Sequence, residues 1–242
     1  MSADDGSPGY DPVTDPGSDP HGADVGSDGT ELSYRTLPKR FREAETIGEL
    51  VATVRAYGWL PPFVAVALCG LAAGLFQFLT GPYTIANGYF FRGWPAAVLI
   101  NVFFGVFLTG FFWFLYFGVI GALTGFFAED RAMDTDVFKI GGYLLLLFAP
   151  SLLAGGLLAT TIPASVATPQ GQGPEASIAV QRALSATIQL QVAGALLAAT
   201  WVAVGFLLIP LVAQLYGVTR KQSVVAVLPV TLLTVVTTVL VV

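Results

Sequence analysis

Cysteine, histidine and charge are all scarce in this chain. One cysteine (Cys69) and one histidine (His21) occur in 242 residues. A lone cysteine allows no intramolecular disulfide and no cysteine-rich metal site. Cys69 lies within an apolar run, where a thiol packs as a small hydrophobe. His21 sits in a segment too polar to position an imidazole, so Ser-His or Cys-His nucleophilic chemistry has no base. Nucleophile-elbow sequences, phosphate-cradling glycine loops and His/Glu metal motifs are also missing. These absences point to a protein that is not an enzyme and holds no cofactor and no metal. Charged residues make up only 11% of the chain, against ~25% in soluble domains. That is too little polar surface to coat a globule, and the mean hydropathy of +0.72 agrees.

The charge that exists is unevenly placed. Eight acidic residues and no Lys or Arg occur between Met1 and Glu31. This segment sets the acidic balance, and nothing marks a nucleic-acid surface. Rich in Asp, Gly, Ser and Pro, it cannot bury enough apolar area to offset its ordering entropy. Residues 1–39 are expected to be a disordered acidic tail. An acid-rich, Lys-poor segment resembles the surfaces of proteins from salt-loving archaea, where molar salt shrinks the Debye length to ~3 Å and removes its self-repulsion.

What remains is apolar. No Asp, Glu, Lys or Arg occurs in 60–80, 95–127, 140–162, 190–216 or 222–242. A bilayer crossing needs ~20 mostly apolar residues, and every run reaches that length. The expected fold is an all-α, polytopic helical membrane protein with five transmembrane helices in a membrane domain over 59–242. Its spans are placed at about 60–80, 95–127, 138–162, 190–216 and 222–242. The run 95–127 is read as one long helix, because no Pro, Asn or Asp turn divides it. Pro150 is expected to kink the third span. Residues 163–177 are expected to be a flexible loop, and 178–188 to begin a helix continuing into span four.

Residues 40–58 have a different pattern. Ala44, Ile47, Leu50, Val51, Val54 and Tyr57 recur at helical spacing. This predicts an amphipathic helix lying on the membrane, or else a cap packed against the bundle. Gly58, Pro61 and Pro62 end it. The connector 81–94 carries Tyr83, Tyr89, Phe90, Phe91 and Trp94, which suit the headgroup region.

With the N-terminus in the cytoplasm, Arg35, Lys39, Arg40, Arg42, Arg55, Arg131, Lys139, Arg220 and Lys221 fall inside and only Arg92 and Arg182 outside. The positive-inside rule therefore predicts a multi-pass cell-membrane protein with its N-terminus cytoplasmic and its C-terminus extracytoplasmic.

Small and polar residues mark candidate helix contacts. Gly70 and Gly74 form a small-xxx-small pair that permits close approach. In the long run, Gly105, Gly110, Gly118, Gly121 and Gly125 read as one small-residue stripe facing other helices, with the phenylalanines in grooves and toward lipid. Gln77, Asn101, Gln189, Gln191 and Gln214 are the strongly polar residues in or beside the spans, and Gln77 and Asn101 are placed to hydrogen-bond each other. Glu129, Asp130, Asp134 and Asp136 read as a solvated turn, or as oxygen ligands for a cation.

The stretch Gly142-Tyr143-Leu144-Leu145-Leu146-Leu147-Phe148-Ala149-Pro150 resembles the Gly-Tyr…Pro motif in the third span of the Yip domain family. Leu215-Tyr216-Gly217-Val218-Thr219-Arg220-Lys221, followed by Ala226 and Pro229, is similar to that family's hinge between its last two spans. Tyr57-Gly58-Trp59-Leu60-Pro61-Pro62-Phe63 echoes the motif that opens its first span, but lacks the acidic start and the Tyr-Gly-Pro order. The resemblance covers about 57–242. It implies a five-span fold and a non-catalytic role among lipid, copies of itself and other membrane proteins. The departure at 57–63 argues against a Rab-type GTPase as partner. The expected function is a membrane scaffold or organiser working through helix–helix contacts; the alternative, suggested by discontinuous helices at Pro150 and Pro210 rather than by the resemblance, is a carrier or channel for a small neutral solute.

Overall fold

The computed structural model describes residues 34–80, 94–129, 132–167, 171 and 174–241. Among these residues every regular element is helical. Five stretches are long and apolar enough to cross a membrane: 60–80, 95–125, 136–159, 188–216 and 220–240. The fold is that of a polytopic helical membrane protein.

The N-terminal part is more ordered and more broken than the apolar spacing implied. A 3-10 turn over Tyr34–Thr36 leads into α1 (Leu37–Glu43). Pro38 occupies the first turn of α1, where a missing N–H breaks no helical bond. Helical structure is thus present before residue 39, and residues 1–33 of the expected tail lie outside the described residues. A second helix, α2 (Ile47–Ala56), starts afresh because Thr46 caps it. The Thr46 hydroxyl accepts from Glu49 N at 3.2 Å, and Glu49 Oε2 accepts from Glu45 N at 2.8 Å. This exchange resembles a capping box and interrupts the single helix expected over 40–58. Val51, Val54 and Tyr57 are buried in the protein. The apolar face of α2 therefore meets the bundle rather than lipid, as in the cap alternative.

Span one is α3 (Leu60–Thr80) and span two is α4 (Trp94–Gly125). The 32 residues of α4 form one uninterrupted helix, ~48 Å long. Its length settles against two short crossings. The connector 81–93 lies outside the described residues.

Span three is two helices in line, α5 (Asp136–Leu145) and α6 (Phe148–Ala159). Around the junction Leu146 N, Leu147 N and Ala149 N donate to the carbonyls three residues back rather than four. Pro150 explains the site of the break. It has no N–H to offer Leu146 O, and its ring clashes with that carbonyl.

The segment expected as a loop carries two helices, α7 (Ala164–Ala167) and α8 (Pro174–Ser185). Span four, α9 (Ile188–Tyr216), does not continue from α8. Thr187 caps it, its hydroxyl accepting from Leu190 N at 3.5 Å. Gly217 ends α9 in the left-handed region at φ 64°, a conformation that favours glycine. Span five is α10 (Arg220–Val241), with Pro229 inside it.

Neighbouring spans run antiparallel, as the contact register shows. Gly70 meets Val106 while Gly74 meets Val102. Ser151 bonds Thr200 at 2.7 Å and Phe148 packs on Trp201. Gly205 meets Thr231, while the Ser223 hydroxyl donates to Ile209 O at 2.6 Å. The core lies among α3, α4, α5, α6, α9 and α10, around Phe117, Ile120, Val137, Val204, Leu208 and Val227. With five crossings, α1, α2, residues 126–129 and 132–135 and the 217–219 turn share one end of the bundle.

Candidate functional site

The end of the bundle carrying α2 holds a cluster of charges. Arg55, from the last turn of α2, donates from Nη2 to Asp134 Oδ2 at 2.6 Å and from Nε to Asp136 Oδ2 at 3.3 Å. Its Nη2 also reaches Leu215 O, near the end of α9, at 3.4 Å. Lys139, one turn into α5, lies 2.9 Å from Asp136 Oδ1. The Lys139 ammonium also stands 5.3 Å from the centre of the Trp59 ring, within cation–π range.

Local sequence explains the arrangement. Asp134 Oδ1 accepts from Asp136 N at 2.8 Å, an Asx turn that starts α5. Asp136 then occupies the first turn of that helix, where a carboxylate complements the helix dipole. The Tyr216 hydroxyl lies 3.2 Å from both the N and the O of Asp134, joining the end of α9 to the same connector. The hydrogen bond to Asp134 raises the Arg55 pKa above its ordinary value despite partial burial. Arg55 is therefore charged at any physiological pH.

This changes the reading of the acidic group. Asp134 and Asp136 are structural counter-ions to Arg55 and Lys139, rather than solvated turn residues or cation ligands. Glu129 is exposed, and Asp130 lies outside the described residues. Among the described residues no group of three or more His, Cys, Asp or Glu is placed to hold a metal ion. His21 also lies outside them, and Cys69 is buried in α3.

The glycines divide into two sets. A Cβ on Gly70 would come within 2.6 Å of Val106 Cα, and one on Gly74 within 2.5 Å of Val102 Cα. A Cβ on Gly105 would run into the Gly74 backbone. These three let α3 and α4 touch backbone to backbone. On another face of α4, Gly118 lies against Phe138, Gly121 against Val137 and the Tyr216 hydroxyl, and Gly125 against Ala132 of the connector. Gly110 has nothing within 4 Å. The single stripe expected from sequence is thus not one face. Gly105 and Gly110 are five residues apart, about 140° around a helix, so both cannot face α3.

The remaining motif residues are placed as follows. Gly142 lies against Pro62, where a Cβ would come within 2.9 Å, and Pro150 follows the break in span three. The Tyr143 ring meets Phe41 edge-on, with centroids 5.0 Å apart. Its hydroxyl is buried with no hydrogen-bond partner. Asn101 does not bond Gln77; its Nδ2 donates to Ala97 O of its own helix at 2.8 Å. Gln189 Nε2 donates to Thr161 Oγ1 at 3.3 Å, while Gln191 and Gln214 are exposed.

Sequence reasoning gave Arg55 no role beyond the charge count and passed over Gly141 and Gly205. Gly141 lets the Phe117 ring lie on the α5 backbone, and Gly205 admits the side chain of Thr231. Their signal was no more than a glycine in an apolar span.

The other feature is an open face. Of the five spans α4 is the least buried within the protein: only 11% of its most apolar 18-residue stretch is covered. Val106, Phe107, Gly110, Phe111, Phe114 and Gly118 line a groove of about 810 Å³ along it, with apolar side chains throughout. Phe103, Phe107, Phe111, Phe112 and Phe114 are each more than half exposed. Such a face suits lipid chains or another apolar helix and offers no group for bond chemistry. The fold and these sites define an integral, multi-pass membrane protein. No family profile, curated protein or solved structure matches the chain.

Proposed function

We propose that this is a non-catalytic membrane protein of the Yip domain type, a scaffold or organiser that works through helix–helix contacts inside the bilayer. The open apolar face of α4 is the observation that carries this reading. Association between helices in lipid relies on close packing at small residues rather than on a hydrophobic driving force. Gly110 is such a residue, uncovered in a groove with room for a partner's side chains. The preferred partner is a second copy of the chain. The N-terminus is assigned to the cytoplasm and the C-terminus to the outer side, on the distribution of Lys and Arg.

The test is a single cysteine on that face. In a Cys69→Ser background, Gly110→Cys is introduced and membranes are oxidised. A crosslinked dimer at Gly110, absent when the cysteine is placed instead at the buried Ala198 of α9, supports the reading. Monomer alone, at every expression level, contradicts it.

The break between α5 and α6 favours a second reading, a carrier for a small neutral solute. Discontinuous helices free backbone carbonyls for a solute in several transporter folds. Against it, the neighbouring Leu146 and Leu147 are 38% and 42% exposed at the bundle surface. Saturable uptake of a neutral solute into liposomes would favour this second reading over the scaffold.

A further inference from the structure

Where the unpaired cations lie decides what they can meet. Arg55 and Lys139 are taken up by Asp134 and Asp136. No carboxylate among the described residues forms an ion pair with Arg40, Arg42, Arg220 or Lys221, and all four are exposed. Lys39 has only the i,i+4 contact to Glu43 at 3.7 Å, with both side chains more than half exposed, and such pairs are weak and screened. These cations share the end of the bundle that carries α2. At the opposite end Arg182 is the one cation among the described residues.

Phe41 fixes the depth of α1. Its ring meets Tyr143 and joins the hydrophobic core. Tyr143 lies seven residues beyond Asp136, ~10 Å along the helix axis. So the Phe41 side chain reaches from α1 to the flank of α5, about two turns from Asp136 in the charged rim. Arg40 and Arg42 immediately precede and follow Phe41, which turns each about 100° away from it around the helix. Both are exposed on either side of that partly buried ring, and at a bilayer surface guanidinium groups so placed would reach the headgroups while their stems stay in apolar surroundings. Tyr34 and Trp59, 52% and 38% exposed, lie at the same end and suit the interface. Arg220 and Lys221 open α10 there as well.

From this juxtaposition we infer that α1, together with the first turn of α10, is a docking surface for anionic phospholipid headgroups. Charge complementarity selects the occupant. A net-negative phosphodiester offsets unpaired guanidinium and ammonium groups, and a zwitterionic headgroup brings its own cation. Cation clusters beside a membrane span recognise anionic lipid in this way. The contact depends on membrane insertion alone, and it stands whether or not α4 mediates self-association.

The test uses the full chain in a neutral detergent, with Tm as readout. Phosphatidylglycerol, phosphatidylcholine with the same acyl chains, and inorganic phosphate are titrated separately. Phosphatidylglycerol is expected to raise Tm by several degrees, and the other two are not. Arg40→Gln/Arg42→Gln should lose most of that rise while keeping the wild-type Tm in phosphatidylcholine. Arg40→Lys/Arg42→Lys should keep it, as should Arg182→Gln at the opposite end. Equal stabilisation by both lipids, a full response in the double Gln variant, or the same rise with inorganic phosphate alone would overturn the inference. Should the double Gln variant not fold, Arg220→Gln/Lys221→Gln serves in its place, with a reduced response expected and an unchanged one contradicting the surface.

Discussion

Arg55 and Asp134 are 79 residues apart in the chain and 2.6 Å apart in space. Their contact ties α2 to the connector that starts span three, and Tyr216 ties the end of span four to the same point. Asp136 stands between Arg55 and Lys139. These five side chains tie α2 to the ends of spans three and four.

The two carboxylates should not be equivalent. Asp134 serves Arg55, which is 48% exposed and solvent-screened. Asp136 also serves Lys139, whose side chain is 11% exposed. Removing one partner of a buried pair leaves an uncompensated charge and costs more than losing an exposed pair. Asp134→Asn is expected to cost up to about 1 kcal/mol, and Asp136→Asn about 2–3 kcal/mol. Unfolding of the detergent-solubilised protein ranks them, and the reverse order would show that Lys139 is not held by Asp136.

Because the hydrogen bond to Asp134 raises the Arg55 pKa above its ordinary value on folding, its contribution is fully present below the unfolded-state value. It is lost only as pH rises through the folded-state value. The Tm difference between wild type and Arg55→Gln should therefore stay constant from about pH 7 to pH 9. A difference that collapses within that window would mean that another, titrating group holds α2 in place.

Two glycines in one helix should behave oppositely. A methyl at Gly105 collides with the Gly74 backbone, and one at Gly110 meets nothing within 4 Å. Overpacking against backbone costs about 1–3 kcal/mol or more, whereas surface changes lie within about 0.5 kcal/mol. Gly105→Ala is expected to lower folded yield and Tm, and Gly110→Ala to leave both unchanged. Equal effects would contradict the α3–α4 register.

Two tyrosine hydroxyls should also differ. Tyr116 shares a buried hydrogen bond of 2.8 Å with Thr231, linking α4 to α10. Tyr143 has a buried hydroxyl without a partner. Tyr116→Phe should destabilise by about 1 kcal/mol, in the range found for hydrogen bonds between membrane helices. Tyr143→Phe should be neutral or stabilising, because it removes a polar atom that is desolvated for no return. A marked loss with Tyr143→Phe would point to a partner for that hydroxyl.

These contrasts show what the sequence could and could not reveal. The spans were legible because length and absence of charge are local properties, read without knowing what touches what. The break in span three was half legible: Pro150 announces it, but the junction falls where the proline's missing bond would have been, one turn earlier. The split at Thr46 was written in the capping residues Thr46 and Glu49, yet the apolar spacing on either side hid it. The Arg55–Asp134 contact was not legible, because pairing at that separation depends on how the spans stack. Likewise, counting glycines in α4 could not separate Gly105 from Gly110. Only their angular positions against neighbouring helices do.

The central claim is five crossings, with the two ends of the chain on opposite faces of the membrane. Topology reporters fused after residues 130, 170, 220 and 242 test it most directly. Positions 130 and 220 should report the cytoplasm, and positions 170 and 242 the outer side. Reports from 220 and 242 on the same side would contradict the account.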